Sequence, residues 1–107
     1  MVVVETVVCS AKEGKDAKLR RLLLARQEFK RRHPGCIAAW IGKGLDNPLM
    51  ILVQSVYASA NDWKSISERV RAELDAKDGG VEPFLLGPPL VGLFDVDDFP
   101  NTRPESS

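Results

Sequence analysis

Val2-Val3-Val4-Glu5-Thr6-Val7-Val8-Cys9 decides the architecture. Its β-branched residues favour an extended strand. Successive side chains of a strand point to opposite faces, so a strand with one wet face reads apolar on one parity only. Here valines fill both parities, and the same holds for Leu49 to Val53 and for Leu90, Val91, Leu93 and Phe94. Such strands need cover on both sides of the sheet that they form.

Outward from this strand comes a break, Ser10-Ala11-Lys12-Glu13-Gly14, in which Ser10 and Glu13 have the spacing of a capping box, which fits a helix beginning about there. From Lys15 to Arg32 the residues Leu19, Leu22, Leu23 and Phe29 recur at helical spacing, with Arg31, Arg32 and His33 in the last turn, where positive charge offsets the helix dipole. Pro34-Gly35 stops the helix. Cys36 to Lys43 reads as a second strand, and Gly44-Leu45-Asp46-Asn47-Pro48 as the turn into a third, Leu49 to Tyr57. Ser59, three residues before Asp62, opens a second helix with the stripe Trp63, Ile66, Val70 and Leu74, ended by Asp78-Gly79-Gly80. After Gly87-Pro88-Pro89, Leu90 to Val96 is the last strand. The order is β-α-β-β-α-β. Right-handed crossovers set both helices on one sheet face, leaving several hundred Å² of apolar surface on the other, more than monomers ordinarily tolerate. A second copy, sheet against sheet, is the expected cover.

At 107 residues, 44% apolar and 28% charged, the chain is expected to fold as one domain over 1–96, with 97–107 a flexible C-terminal tail. Fifteen basic and fifteen acidic side chains create no whole-protein field for nucleic acid or an anionic membrane. No stretch approaches the roughly 20 apolar residues of a membrane span, and Met1 to Val4 lacks the length and basic leader of a signal peptide. A cytoplasmic protein whose partners are its own copy and a hydrophobic small molecule is the expectation. Cys9 and Cys36 fall at opposite ends of the predicted sheet and are expected to be free thiols. A single histidine, no CxxC pair and the alternating Asp95, Asp97 and Asp98 give no metal site.

The chain resembles the antibiotic biosynthesis monooxygenase domains of the dimeric ferredoxin-like α/β-barrel superfamily over about residues 2–96. The resemblance rests on the element order, on His33-Pro34-Gly35-Cys36-Ile37 leading into the second strand, on Val56-Tyr57-Ala58-Ser59 leaving the third, and on Gly87-Pro88-Pro89 before the last. It implies an α+β fold, ferredoxin-like βαββαβ, with a four-stranded antiparallel sheet, two helices on one face, and sheet-to-sheet pairing as a dimeric barrel. It implies a pocket between sheet and helices, and oxygenation of a phenolic or quinone-type aromatic with no cofactor, the deprotonated substrate itself passing an electron to dioxygen. The chain also departs from the family. Ser55 and Tyr57 stand where members often carry Glu-x-Trp, and no histidine comes after His33. Val7 and Ile66 stand where the haem-degrading branch needs asparagine and tryptophan, which argues against haem.

Several aromatic and polar residues are candidates for a site. Tyr57 and Trp63 match pocket aromatics of the phenol-oxidising members, although either also suits plain core packing. Glu5 and Gln54 interrupt apolar strands and need partners if buried. Glu5 is a candidate to take a phenolic proton, with Tyr57 as the second catalytic candidate, while Gln54, Tyr57, Trp63 and Arg71 are candidates for substrate binding; a bond across the dimer interface or an exposed edge is the alternative for Glu5 and Gln54. His33 reads as a helix-capping cation, and the basic residues Arg20, Arg21, Arg26, Lys30, Arg31 and Arg32 as a solvated face. Besides the oxygenase, a non-catalytic ligand-binding or regulatory homodimer and an isomerase- or dehalogenase-like enzyme remain open.

Overall fold

The structure, a computed structural model, describes residues 1–99; most of the expected tail lies outside the described residues. β1 (Val2–Ser10), α1 (Asp16–Arg31), β2 (Cys36–Lys43), β3 (Met50–Tyr57), α2 (Ala60–Val70) and β4 (Leu90–Val96) occur in the expected order. The strands form one antiparallel sheet in the order β2-β3-β1-β4, so the ferredoxin-like α+β fold holds. Cys9 pairs with Ile51 and Cys36 with Tyr57, at opposite ends of β3, and both thiols are free. No described helix is long and apolar enough to cross a membrane.

Local chemistry explains most boundaries. Ser59 caps α2, its hydroxyl accepting the backbone N–H of Asp62 at 3.1 Å. The Ser10–Glu13 capping box does not form: Ser10 belongs to β1, paired with Met50, and α1 starts after Lys15 with no side-chain cap. Sheet pairing has taken the residue that would have capped the helix. α2 runs on into a π-helical turn, Arg71–Asp75, and a last turn, Ala76–Asp78, before Gly79 takes the left-handed conformation at φ 85°. The extra residue of the π turn rotates the final turn by about 100° relative to an uninterrupted α-helix. Asp75 and Asp78 then meet Arg26 of α1, with Arg26 Nη2 at 2.6 Å and 2.8 Å from their Oδ1 atoms. Arg26 is therefore buried, not solvated, and its hydrogen bond holds the Asp78 carboxyl below the usual carboxylate range.

The odd-numbered residues of β1 and β3 face the helices. Cys9, Leu19, Leu23, Ile51 and Val53 form one apolar cluster with Val7 packed against it; Val3, Cys36, Ala39, Tyr57 and Ile66 form a second, with Trp63 against it. Neither helix packs closely over β4, whose Val91 and Leu93 are exposed although they share the helix-bearing face. The other sheet face carries Val4, Thr6, Val8, Leu52 and Gln54, with Trp40 42%, Phe94 55% and Leu90 74% exposed. An aromatic and aliphatic surface is thus left uncovered by the chain's own helices.

Candidate functional site

Glu5 stands in β1 between the two apolar clusters. Its cross-strand partners are Ser55 on β3 and Leu93 on β4, while its same-face neighbours Val3 and Val7 pack with different clusters. Glu5 and Ser55 therefore make a polar rung across an otherwise apolar sheet. Above it lies α1. Leu19 and Leu23 of that helix fill the first cluster, and continuing their spacing brings Gln27 and Lys30 over the rung.

Four side chains converge here. Tyr57 donates its hydroxyl to Glu5 Oε1 at 3.0 Å. Lys30 Nζ lies 3.5 Å from the same oxygen and donates to Ser55 Oγ at 3.1 Å. Trp63 Nε1 donates to Glu5 Oε2 at 3.3 Å, the longest of the hydrogen bonds to this carboxylate. Gln27, 1% exposed, gives its amide N–H groups to Ser55 Oγ and to the carbonyls of Gln54 and Trp40, at 2.8–3.2 Å. Its Oε1 is buried without a hydrogen-bond partner among the described residues. The Glu5 and Lys30 side chains are only 18% and 12% exposed. Taking such a pair out of water costs several kcal/mol per ion unless further hydrogen bonds compensate, and Tyr57, Trp63 and Ser55 supply them. Burial, followed by the negative charge of Glu5, pushes the Tyr57 phenol well above its ordinary value of 10. Tyr57 is a neutral donor here, not a phenolate.

A cleft of about 250 Å³ opens beside this network, lined by Val3, Ala60, Trp63, Leu93, Phe94 and Asp95. It lies between the start of α2 and the uncovered helix-side of β4. Trp63 is shared: it forms a wall of the cleft and its indole N–H reaches Glu5. The more weakly held oxygen of the carboxylate, Oε2, is the one on the Trp63 side, and Glu5 itself does not line the cleft, from which Trp63 separates it.

The sequence candidates separate accordingly. Glu5, Tyr57 and Trp63 come together. Tyr57, however, is fully buried and does not line the cleft; its hydroxyl is neither in water nor facing a ligand. Gln54 is not part of this group, because the register that pairs Glu5 with Ser55 turns Gln54 to the other face, where its amide donates to Thr6 Oγ1 at 3.1 Å. Arg71 is not part of it either, being exposed on the π-helical turn past α2. Lys30 corrects the reading of a solvated basic face, and with Gln27 and Ser55 was missed as a site residue. The helical spacing from Leu19 and Leu23 was the signal. Ser55 also has a spatial counterpart to its departure from Glu-x-Trp: the carboxylate absent at 55 stands directly across the ladder, at Glu5. No group of three or more metal-binding side chains occurs among the described residues.

The model of the antibiotic biosynthesis monooxygenase family matches residues 1–71. No curated protein matches the chain significantly. Among solved structures, a Nitrosomonas europaea protein provisionally assigned to that family superposes with TM-score 0.77 at 19% identity, over 87% of this chain and 88% of that one. Rv0793 from Mycobacterium tuberculosis superposes at 0.73 with 18% identity, over 92% and 97%. SnoaB, a cofactor-independent oxygenase from Streptomyces nogalater, in the form of a point mutant, superposes at 0.76 with 14% identity, over 94% and 98%. At these identities the superpositions show a shared fold.

The network predicts an alkaline signature. A phenol whose folded-state pKa is raised contributes stability fully present below the unfolded value, near 10, and lost as pH rises towards the folded one. Tyr57 is the one tyrosine of the chain, so tyrosinate absorbance reports it alone. The native protein is expected to show no tyrosinate signal as pH passes 10 until it unfolds; a reversible native titration centred at 10 would contradict the buried Tyr57–Glu5 bond.

Proposed function

The chain belongs to the antibiotic biosynthesis monooxygenase family, and from that premise we propose that it is a cytoplasmic, homodimeric, cofactor-independent monooxygenase-like protein acting on a hydrophobic aromatic of phenolic or quinone type. The observation that carries the reading is the carboxylate of Glu5, held by Tyr57, Trp63 and Lys30 behind a cleft walled by Trp63.

In the proposed reaction the substrate lies against Trp63 and its phenolic proton passes to Glu5 Oε2, leaving an electron-rich phenolate. That phenolate is the reductant for dioxygen. For a ring CH2 conjugated with the phenol, the CH2 becomes a ketone, one oxygen atom enters the product and the other leaves as water, so the substrate supplies all the electrons. The protein's contribution is orientation, exclusion of water and a fixed proton acceptor. Tyr57 and Lys30 act through Glu5 as positioning residues.

A second reading, a non-catalytic ligand-binding or regulatory homodimer, is favoured by one observation: both oxygens of Glu5 already have partners within the chain, and Tyr57 is sealed from the cleft. Pairing is common to both readings and is supported by the uncovered sheet face with Trp40, Leu90 and Phe94 exposed. Sedimentation at micromolar concentration is expected to give a particle of twice 11.8 kDa, and a stable particle of 11.8 kDa would remove the pairing. Oxygen uptake with anthrone- and hydroquinone-like phenols separates the two readings. Uptake with at least one of them, falling about 100-fold in Glu5→Gln and strongly in Trp63→Ala, is expected for an enzyme using a general base; no uptake across the panel leaves the non-catalytic dimer.

A further inference from the structure

On the reading of the cleft beside Trp63 as the ligand site, we propose that it selects aromatic ligands bearing a cationic amine over neutral and anionic ones. Of the residues lining the cleft, Asp95 alone carries a charge. It lies on the helix-bearing face of β4, opposite Val3, and forms no ion pair among the described residues. The other lining residues are Val3, Ala60 and Leu93, which offer apolar contact, Phe94, whose ring lies on the opposite sheet face, and Trp63, which offers an indole ring with its nitrogen tethered to Glu5. A solvent-exposed carboxylate, unpaired among the described residues, and an indole within one small cleft both attract an organic cation.

The groups that would favour an anion are already engaged. Lys30 is held by Glu5 and Ser55. The start of α2 brings the positive end of a helix dipole to Ala60, but Asp62 in the first turn opposes it, its Oδ2 bonded to the Ser59 hydroxyl at 2.8 Å. A carboxylated aromatic would meet Asp95 at the cleft and Glu5 behind Trp63, both of its own sign. An amine-bearing one would set its ring system along Leu93 and Trp63 and its ammonium at Asp95. The proposed phenolic chemistry at Glu5 is compatible with this, since the amine marks a different part of the ligand from the reacting ring.

The test is isothermal calorimetry of the full chain at neutral pH with three probes of matched shape: naphthylmethylammonium, naphthol and naphthoate. The ammonium is expected to bind about tenfold more tightly than naphthol, and naphthoate more weakly than either. Asp95→Asn is expected to bring the ammonium to the affinity of naphthol while leaving naphthol unchanged, and Asp97→Asn, outside the cleft, to keep the preference. Trp63→Ala is expected to weaken all three, with circular dichroism confirming its fold. Equal affinities, or a preference that survives Asp95→Asn, would overturn the cation selectivity while leaving the cleft a ligand site. Failure of every probe to bind would remove the ligand site and the proposal together.

Discussion

A carboxylate set between two apolar clusters must be met by donors or remain in water, and the site is organised around that requirement at Glu5. β1 places the carboxylate under α1, and the sheet register puts Ser55 beside it. The inward face of α1 changes character at this level: Leu19 and Leu23 give way to Gln27 and Lys30. From the second cluster, Tyr57 and Trp63 turn their polar ends to the same carboxylate while their rings stay in apolar surroundings. Two helices and two strands thus agree on one ionic centre. A pair buried in this way is costly to break by removing one partner, and the arrangement leaves Trp63 as the shared wall between the network and the cleft.

The two sides of the sheet divide the remaining work. On the helix side the cover stops short of β4, so Leu93 and Asp95 stay open beside Trp63 and a cleft results. On the other side Phe94 lies against Gly92, close enough that a Cβ there would come within 2.6 Å of the ring. Gly92 thereby lets an aromatic ring lie low over the strand on the face proposed to meet a second copy. β4 serves both sides, which explains why its apolar residues show no single parity.

Much of this was legible in the sequence. Valines on both parities of β1, the Ser59 cap and the Pro34-Gly35 stop carry their own physical reasons, and they fixed the element order and the bare sheet face. What escaped reading depended on contacts distant in the chain. Arg26 and Lys30 looked solvated within a basic run, yet their neighbours in space are Asp75 and Asp78 in one case and Glu5 and Ser55 in the other. Ser10 and Glu13 had the spacing of a cap, but a ladder to Met50 competed for Ser10 and prevailed. Gln54 looked equivalent to Glu5 until the register was known, because pairing 5 with 55 sends 54 to the opposite face. The π-helical turn has no composition signal of its own, and its reason appears only in the aspartates that it delivers to Arg26.

The most direct measurement is a double-mutant cycle between Glu5 and Lys30 by urea unfolding: Glu5→Gln, Lys30→Met and both together. If the carboxylate is the centre on which the surrounding side chains depend, each single change strands a buried partner and the double change does not. The coupling free energy is then expected to exceed about 1 kcal/mol, with the double variant more stable than either single one. Strictly additive effects would mean that Glu5 and Lys30 do not interact across the sheet and helix, and the account of the site would fail with them.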